Sequence, residues 1–351
     1  MKVALMGGWN SDSGASFHTE ELGKGLKEIG IDIIVFTFYK YAFHGTHLFG
    51  KDEDYVHRCF TVSSATPNNL EPVPFLTNDF DIFIVEDLGM LPKDLLGKIY
   101  NRIHKKAKTI NVIHDGRLSK DPSFYQFEWD AIVCFDKRYC KFLKTAYDVK
   151  KIHIIPYPAH PIKTYNKEKA REELSLPMDK KIIFSFGPAA KLTADLVPKI
   201  ARLQDEFPIL YLTVTRDKEA IKSYKGFMEK GEVPIELREE VLDIKRLYKY
   251  LSASDVLLIN KKDADNIVVS STIYQCMGSM CPVLARDSNY VEMFDKEIMK
   301  FKDEEDLLNK IRIIFYDEVK GLESTVKGFL KKNSSIEIAK TYKKLFNEIG
   351  G

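Results

Sequence analysis

At 351 residues the chain exceeds what one hydrophobic core usually supports, so two domains of roughly 150–200 residues each are expected. Hydrophobic residues make up 44% and charged residues 30%, yet no apolar run approaches the about 18 residues that a membrane-spanning helix needs. The 53 basic and 51 acidic side chains leave a net charge of +2, which removes any global electrostatic reason to bind nucleic acid and makes any anion site a local one.

Met1-Lys2 leads through a short apolar run into Gly7-Gly8, too short for a cleavable secretion signal, and a cytoplasmic protein is expected. Short β-branched runs then alternate with helix-length amphipathic segments, the rhythm of a parallel sheet with crossover helices. In the first half the predicted strands are Lys2–Met6, Asp32–Phe38, Asp81–Val85, Thr109–Ile113, Ala131–Phe135 and Lys151–Ile155. Phe17–Ile29 is a predicted helix, with Leu22, Leu26 and Ile29 on one face. Three prolines, Pro156, Pro158 and Pro161, interrupt regular structure and mark a linker. Beyond them the predicted strands are Lys181–Phe186, Ile209–Thr215, Val233–Leu237, Asp255–Asn260 and Pro282–Ala285. The predicted helices there are Lys167–Leu174, Leu192–Asp205, Ile244–Ser252, Thr272–Ser279, Glu304–Tyr316 and Ser335–Ile349. The fold class is therefore α/β, with two Rossmann-like halves.

Candidate site residues cluster where predicted strands end. Gly7 to Gly14 forms a Gly- and Ser-rich loop between a strand and a helix, so Gly8 and Gly14 let backbone N–H groups approach an oxygen-rich ligand. The same glycines also suit an ordinary β–α turn. The loop lacks the Gly-x-Gly-x-x-Gly spacing and the acidic partner of a dinucleotide site. Asn10, Ser16 and His18 are candidates for substrate contact. His114 and Asp115 follow an apolar strand and are the catalytic candidates, His114 as a hydrogen-bond partner for sugar hydroxyls or, alternatively, a histidine satisfied by backbone. In the second half, Gly187 closes a strand and Lys191 follows it, with Arg216 at the end of the next strand, either to neutralise a diphosphate or as solvated surface charge. Asp265, Asn266, Ser270, Ser271, Thr272 and Gln275 surround a helix start whose hydroxyls both cap it and offer donors to phosphate.

No metal site is expected. Asp52-Glu53-Asp54 and Asp263-Ala264-Asp265 read as solvated loops, and the five cysteines lack the paired spacing of a zinc site and read as reduced thiols. The cations and apolar residues of Lys137–Lys151 suit either an amphipathic surface helix or peripheral contact with the inner face of a membrane.

These segments taken in order resemble a known family. Lys150–Pro156, Arg171–Lys181 and Ile182–Gly187 look like the interdomain passage of GT-B glycosyltransferases, especially the large retaining family four. Ser13–Leu26 resembles that family's first glycine loop and helix, and Trp129–Val133 its last amino-terminal strand. Leu251–Leu258 and Met277–Val283 resemble the segments that flank its donor site. The resemblance implies two Rossmann-like domains facing across a cleft: residues 1–160 on the acceptor side, 161–334 binding the nucleotide sugar, and 335–351 as a helix crossing back to the first domain. It implies sugar transfer from a nucleoside diphosphate sugar to a carbohydrate or lipid-linked acceptor, with no metal and no separate cofactor. His114 would contact the donor sugar, and Lys191 and the helix start at Ser270–Thr272 would bind the diphosphate. In one place the chain departs from the family, which carries two glutamates eight positions apart: counting back from Pro282-Val283 puts Ile267 and Gln275 there. Gln275 can still hydrogen-bond a ribose, whereas Ile267 cannot act as a carboxylate, and Asp265 or Asn266 would substitute only if the loop shifts. That departure keeps two further readings open, a catalytically silent GT-B module with a regulatory or scaffolding role, and a related sugar-nucleotide epimerase or phosphorylase.

Overall fold

The computed structural model describes residues 1–231, 234–319 and 321–350. Its contacts divide the chain into two compact units. The first comprises Met1–Ala159, Asp265–Ser271 and Lys332–Gly351; the second comprises His160–Ala264 and Thr272–Lys331.

The first unit is built on seven strands: β1 (Lys2–Met6), β2 (Asp32–Phe38), β3 (Val56–Phe60), β4 (Ile82–Glu86), β5 (Lys108–Val112), β6 (Ala131–Cys134) and β7 (Ile152–Ile154). They form one parallel sheet in the order β3-β2-β1-β4-β5-β6-β7. The central strands are apolar along their length because helices cover both faces, and Val3, Leu5, Ile84 and Val85 are fully buried. Helices α1 (Gly14–Glu28), α2 (Val73–Thr77), α3 (Lys93–His104) and α4 (Lys137–Leu143) follow strands of this sheet. Ser13 starts α1 by accepting a hydrogen bond from the Ser16 N–H, and Asp136 starts α4 by accepting one from Arg138.

The second unit carries β8 (Lys181–Phe186), β9 (Ile209–Val214), β10 (Ile235–Arg238), β11 (Val256–Ile259), β12 (Val283–Arg286) and β13 (Met299–Phe301). They too are parallel, in the order β10-β9-β8-β11-β12-β13. Its helices are α5 (Lys167–Glu173), α6 (Val197–Ile200), α7 (Lys218–Lys230), α8 (Ile244–Ala253), α9 (Ser271–Cys276), α10 (Glu304–Phe315) and α11 (Leu322–Asn333). One core runs beneath β8, β9 and β11 and includes Ile183, Tyr211, Leu258, Leu307 and Ile311.

The chain closes with α12 (Ser335–Gly350), which packs along α1 in the first unit. Contact is close because residue 25 has no side chain: a Cβ there would stand 2.2 Å from the carbonyl oxygen of Ser335. The Ser335 hydroxyl donates to Glu21 across the same seam.

Several expected elements take another form. The helix expected over Leu192–Asp205 is broken into short turns around α6, since Pro198 has no N–H to continue a ladder. The strand expected at Val233–Leu237 begins at a residue outside those described, and the described strand is Ile235–Arg238. The basic segment at Lys137 is helical only to Leu143, with Tyr139 and Leu143 buried within the protein and Val149 exposed further along. Among the described residues no helix is long and apolar enough to cross a membrane.

Candidate functional site

In an open parallel sheet, ligands gather beyond the carboxyl ends of the strands where the strand order reverses. In the first unit that point lies between β1 and β4, because β2 extends the sheet to one side of β1 and β4 to the other. The loop after β1 supplies Gly7 and Gly8 there, and β4 ends on Glu86, with Asp87 directly after it. Gly7 is required for the approach: a Cβ on it would meet the Glu86 Cβ at 2.7 Å and the Thr19 hydroxyl at 2.9 Å. A Cβ on Gly8 would stand 3.0 Å from the Cα of Ser16.

Glu86 is fully buried, with one carboxylate oxygen shared by two imidazoles. His114 Nε2 makes a hydrogen bond of 3.0 Å to Oε2, and His18 Nδ1 from α1 lies 2.9 Å from the same oxygen without hydrogen-bond alignment. The rings of His18 and His114 stand edge to face, with centroids 5.1 Å apart. Phe135 and Tyr157 pack against both. Burial alone would raise the Glu86 carboxyl, but the two imidazoles outweigh it and hold the pKa down to about 2. His114 is shifted the other way: burial works against its charge, yet the hydrogen bond and charge of Glu86, helped by Asp87 and Asp115, raise its pKa above the ordinary value. His18 is pushed down, chiefly by burial, and is the neutral member of the pair.

These three are the only group among the described residues whose donor atoms lie close enough to share a metal ion. Ligands about 2.1 Å from a tetrahedral ion stand roughly 3.3 Å or more from one another. Here Glu86 Oε2 is 2.9 and 3.0 Å from the two nitrogens, the spacing of hydrogen bonds rather than of a coordination shell. The other acidic clusters are engaged elsewhere: Asp52 binds Arg58 at 2.7 and 2.8 Å, and Asp263 accepts the Asn289 N–H at 2.7 Å.

Beside His114 a shallow depression opens beyond the ends of β4 and β5, lined by Asp87, Asn111, Asp115, Phe124, Phe142 and Tyr147 among others. Asp115 is exposed, and partial burial together with the nearby Asp87 carboxylate raises its pKa. Two carboxylates beside aromatic rings form a surface that can accept hydroxyl hydrogens and stack against a sugar ring.

The remaining first-unit candidates are tied into the protein's own framework. Asn10 adopts the left-handed conformation, φ 53°, and its N–H donates to Glu20 at 2.9 Å. Ser16 is buried, and its hydroxyl donates to the same carboxylate at 2.9 Å. His18 is buried as well and reaches the site through Glu86 and the His114 ring. A Cβ on Gly14 would stand 2.8 Å from the Ser271 hydroxyl oxygen. The short segment Asp265–Ser271 docks on the end of β5, where the Ile267 N–H donates to the Gly116 carbonyl at 3.3 Å and Val268 accepts from Arg138 at 3.0 Å. Asp265 is exposed, Asn266 half-buried, and Ser270 buried with its hydroxyl unpartnered within the protein.

In the second unit the strand order reverses between β8 and β11. Gly187 follows β8 with φ 69°, a conformation glycine adopts without strain, and turns the chain so that Lys191 stands just beyond the strand end. The exposed Lys191 ammonium lies 3.1 Å from Glu219, which raises its pKa. Arg216 is exposed at the end of β9, while Thr272 and Gln275 lie half-buried on α9. Two groups at this reversal point escaped the sequence reading: Asn260, which bonds the Leu192 carbonyl, and Lys261, whose pKa is lowered by burial. In the first unit Glu86 and Asp87 escaped it in the same way. The available signal in both cases was a polar pair directly after an apolar strand.

No family model matches the sequence. Among solved structures, the chain is similar to a sucrose-phosphate synthase from Thermosynechococcus elongatus, with 13% identity, TM-score 0.68 and coverage of 100% of this chain and 99% of that one. HepE from Anabaena, determined in complex with UDP, is 12% identical with TM-score 0.68, covering 99% of this chain and 100% of that one. A glycosyltransferase from Rickettsia africae is 15% identical with TM-score 0.64, covering 99% and 98%. The fold of this protein is therefore GT-B, with its two parallel Rossmann-like sheets.

Proposed function

We propose that this protein is a glycosyltransferase that takes a sugar from a nucleoside diphosphate sugar and passes it to a carbohydrate or lipid-linked acceptor. The observation that carries the reading is the likeness, over essentially the whole chain, to structures described as a sucrose-phosphate synthase and a glycosyltransferase, and to a third determined in complex with UDP. On this reading the second unit holds the donor. Gly187 brings backbone N–H groups close to the diphosphate, Lys191 and Arg216 offset its charge, and Thr272 and Gln275 complete the donor contacts of that unit. Fixed cations and N–H dipoles suffice to stabilise a departing diphosphate, so the transfer proceeds without a metal.

The acceptor belongs to the first unit, where the depression beside His114 offers carboxylates and aromatic rings. Asp115 is the residue placed to accept a proton from an attacking hydroxyl, and its raised pKa makes it a stronger base than an ordinary aspartate. Gly8 and Gly14 keep the β1 loop close to the substrate. Retention of configuration is the outcome that the family resemblance implies, and Ile267, which offers no carboxylate, is the residue that sets this chain apart.

A panel of UDP-, GDP-, ADP- and TDP-sugars with candidate acceptors tests the proposal by release of nucleoside diphosphate. UDP binding measured calorimetrically is expected to weaken roughly tenfold or more in Lys191→Ala, the scale of one charge-assisted phosphate contact. If no sugar nucleotide binds or turns over and the variant behaves as the parent, the proposal fails. The absence of a carboxylate at Ile267 favours a second reading, a silent GT-B module, and ligand-induced thermal stabilisation without turnover would select it.

A further inference from the structure

Glu86 lies outside every motif the sequence displays, yet it is the most deeply placed charge at the first sheet's reversal point. Its carboxylate is fully buried, ends a central strand, and bridges a helix histidine to the histidine that faces the candidate acceptor depression. A buried carboxylate needs a compensating positive charge. Two imidazoles touch it, and a single proton beyond their neutral forms supplies that charge.

We infer that Glu86 is a positioning residue that keeps the His114 imidazole doubly protonated, so that His114 acts on substrate as a cationic hydrogen-bond donor and never as a base. The inference rests on the glycosyltransferase reading for what His114 touches, but the protonation itself is a property of the folded chain alone.

Geometry places the proton on His114 rather than on His18. The His114 Nε2 bond to Glu86 is aligned, whereas the His18 Nδ1 approach is not. The His114 side chain keeps 12% of its surface exposed and His18 only 1%, so solvent helps to carry the charge on the former. Every other group facing His114 except Arg117 agrees in sign or is neutral. From the end of β4 comes Asp87, and from its own loop Asp115, both carboxylates that favour the cation. From α1 comes His18, held neutral by burial. From α4 the Tyr139 hydroxyl donates to the His114 carbonyl at 3.3 Å, and from α12 the buried Tyr342 phenol stands near Glu86, with its own pKa raised so that it stays protonated. Arg117, which lines the same depression, is the opposing charge, and it acts on Asp115.

The consequence is a division of labour. A histidine locked in its charged form can donate from Nδ1 toward a sugar hydroxyl or a developing negative charge while Nε2 stays bound to Glu86. It has no free lone pair, so proton removal from the acceptor falls to a carboxylate, and Asp115 lies at the same opening.

The test is direct. The full-length protein labelled with ¹⁵N-histidine is titrated by long-range ¹H–¹⁵N NMR, with the His114 signals assigned by their loss in His114→Gln. His114 is expected to remain doubly protonated above pH 6.5, and Glu86→Gln to lower its titration point by about 1–3 units, the range for loss of an adjacent opposite charge. His18→Gln, which leaves Glu86 bound to one imidazole, should leave His114 charged. Should Glu86→Gln not fold, the outcome in His18→Gln decides. A His114 that is neutral at pH 7 in the parent, or that titrates identically in Glu86→Gln, overturns the inference. So does a chelator-removable, stoichiometric metal on the purified protein whose loss shifts both histidines' signals. None of these results depends on finding a substrate, so failure of the transferase reading would be seen separately in the donor panel.

Discussion

Truncating Glu86 to alanine is expected to lower the free energy of unfolding at pH 7 by about 3–5 kcal/mol, the usual consequence of removing one partner from a buried ion pair. The loss has two sources. His114 forfeits the charge that holds its proton, and the space left at the end of β4 lies beneath Gly7, in a region packed too closely to collapse without moving the β1 loop. The pH dependence separates the charge from the packing. Because the Glu86 pKa is depressed from 4.5 to about 2, its stabilising contribution is complete above 4.5 and disappears as pH falls toward 2. Because the His114 pKa is raised above 6.5, its contribution is complete below 6.5 and is lost as pH rises through the folded value. His18, shifted downward, acts in the opposite window: the unfolded chain binds a proton below 6.5 that the native state refuses, and stability falls there. Urea denaturation followed by circular dichroism, with hydrogen exchange to isolate peptides of the first unit, measures the effect. A loss within 1 kcal/mol would show that the cluster is solvated in practice.

The second large effect is expected from Gly116→Ala. A Cβ at this position would stand 1.6 Å from the carbonyl oxygen of Ile267 and 2.5 Å from its carbonyl carbon, both of them backbone atoms that cannot rotate aside. Either the loop after β5 or the segment Asp265–Ser271 must move, at about 3 kcal/mol or more by analogy with severe overpacking. Hydrogen exchange should localise the damage: the Ile267 amide, bonded to Gly116 in the parent, is expected to exchange much faster in the variant. Gly328→Ala serves as the matched control. Nothing lies within 4 Å of its added Cβ on α11, and a gain of about 0.5–1 kcal/mol is expected from helix propensity. Equal effects in the two variants would mean that the close approach at Gly116 is not maintained in solution.

Both predictions turn on residues that the sequence disclosed unevenly. Strands such as Lys2–Met6, Asp32–Phe38 and Lys181–Phe186 were legible to the residue, because central strands of a two-sided parallel sheet are continuous apolar runs bounded by turn residues. The edge strands Val56–Phe60 and Met299–Phe301 were not. Val56–Phe60 carries His57 and Arg58, whose guanidinium is spent on Asp52 and the Phe38 carbonyl, and Met299–Phe301 is only three residues long. His114 and Asp115 were legible as polar residues beyond a strand end. Glu86 was hidden by one residue of register: with the strand expected to stop at Val85, its carboxylate falls in a loop, whereas β4 continues through it into the interior. No local pattern reports that residues 18, 86 and 114 meet, since that depends on how α1 lies across the ends of β1 and β4. The buried state of Ser16 and the internal bonding of Asn10 were invisible for the same reason.

Neither compact unit is a continuous stretch of chain. The polypeptide changes unit after Ala159, Ala264, Ser271 and Lys331, and the first unit acquires its last helix only from the final residues. A fragment cut at the proline-rich junction would lack both Asp265–Ser271 and α12, leaving the notch at Gly25 unfilled. During synthesis the first unit stays incompletely closed until residues 332–350 have left the ribosome. Separate expression of the halves is consequently a poor route to either one, and circular permutants that place residues 332–350 ahead of Met1 are the better starting point for isolating the first.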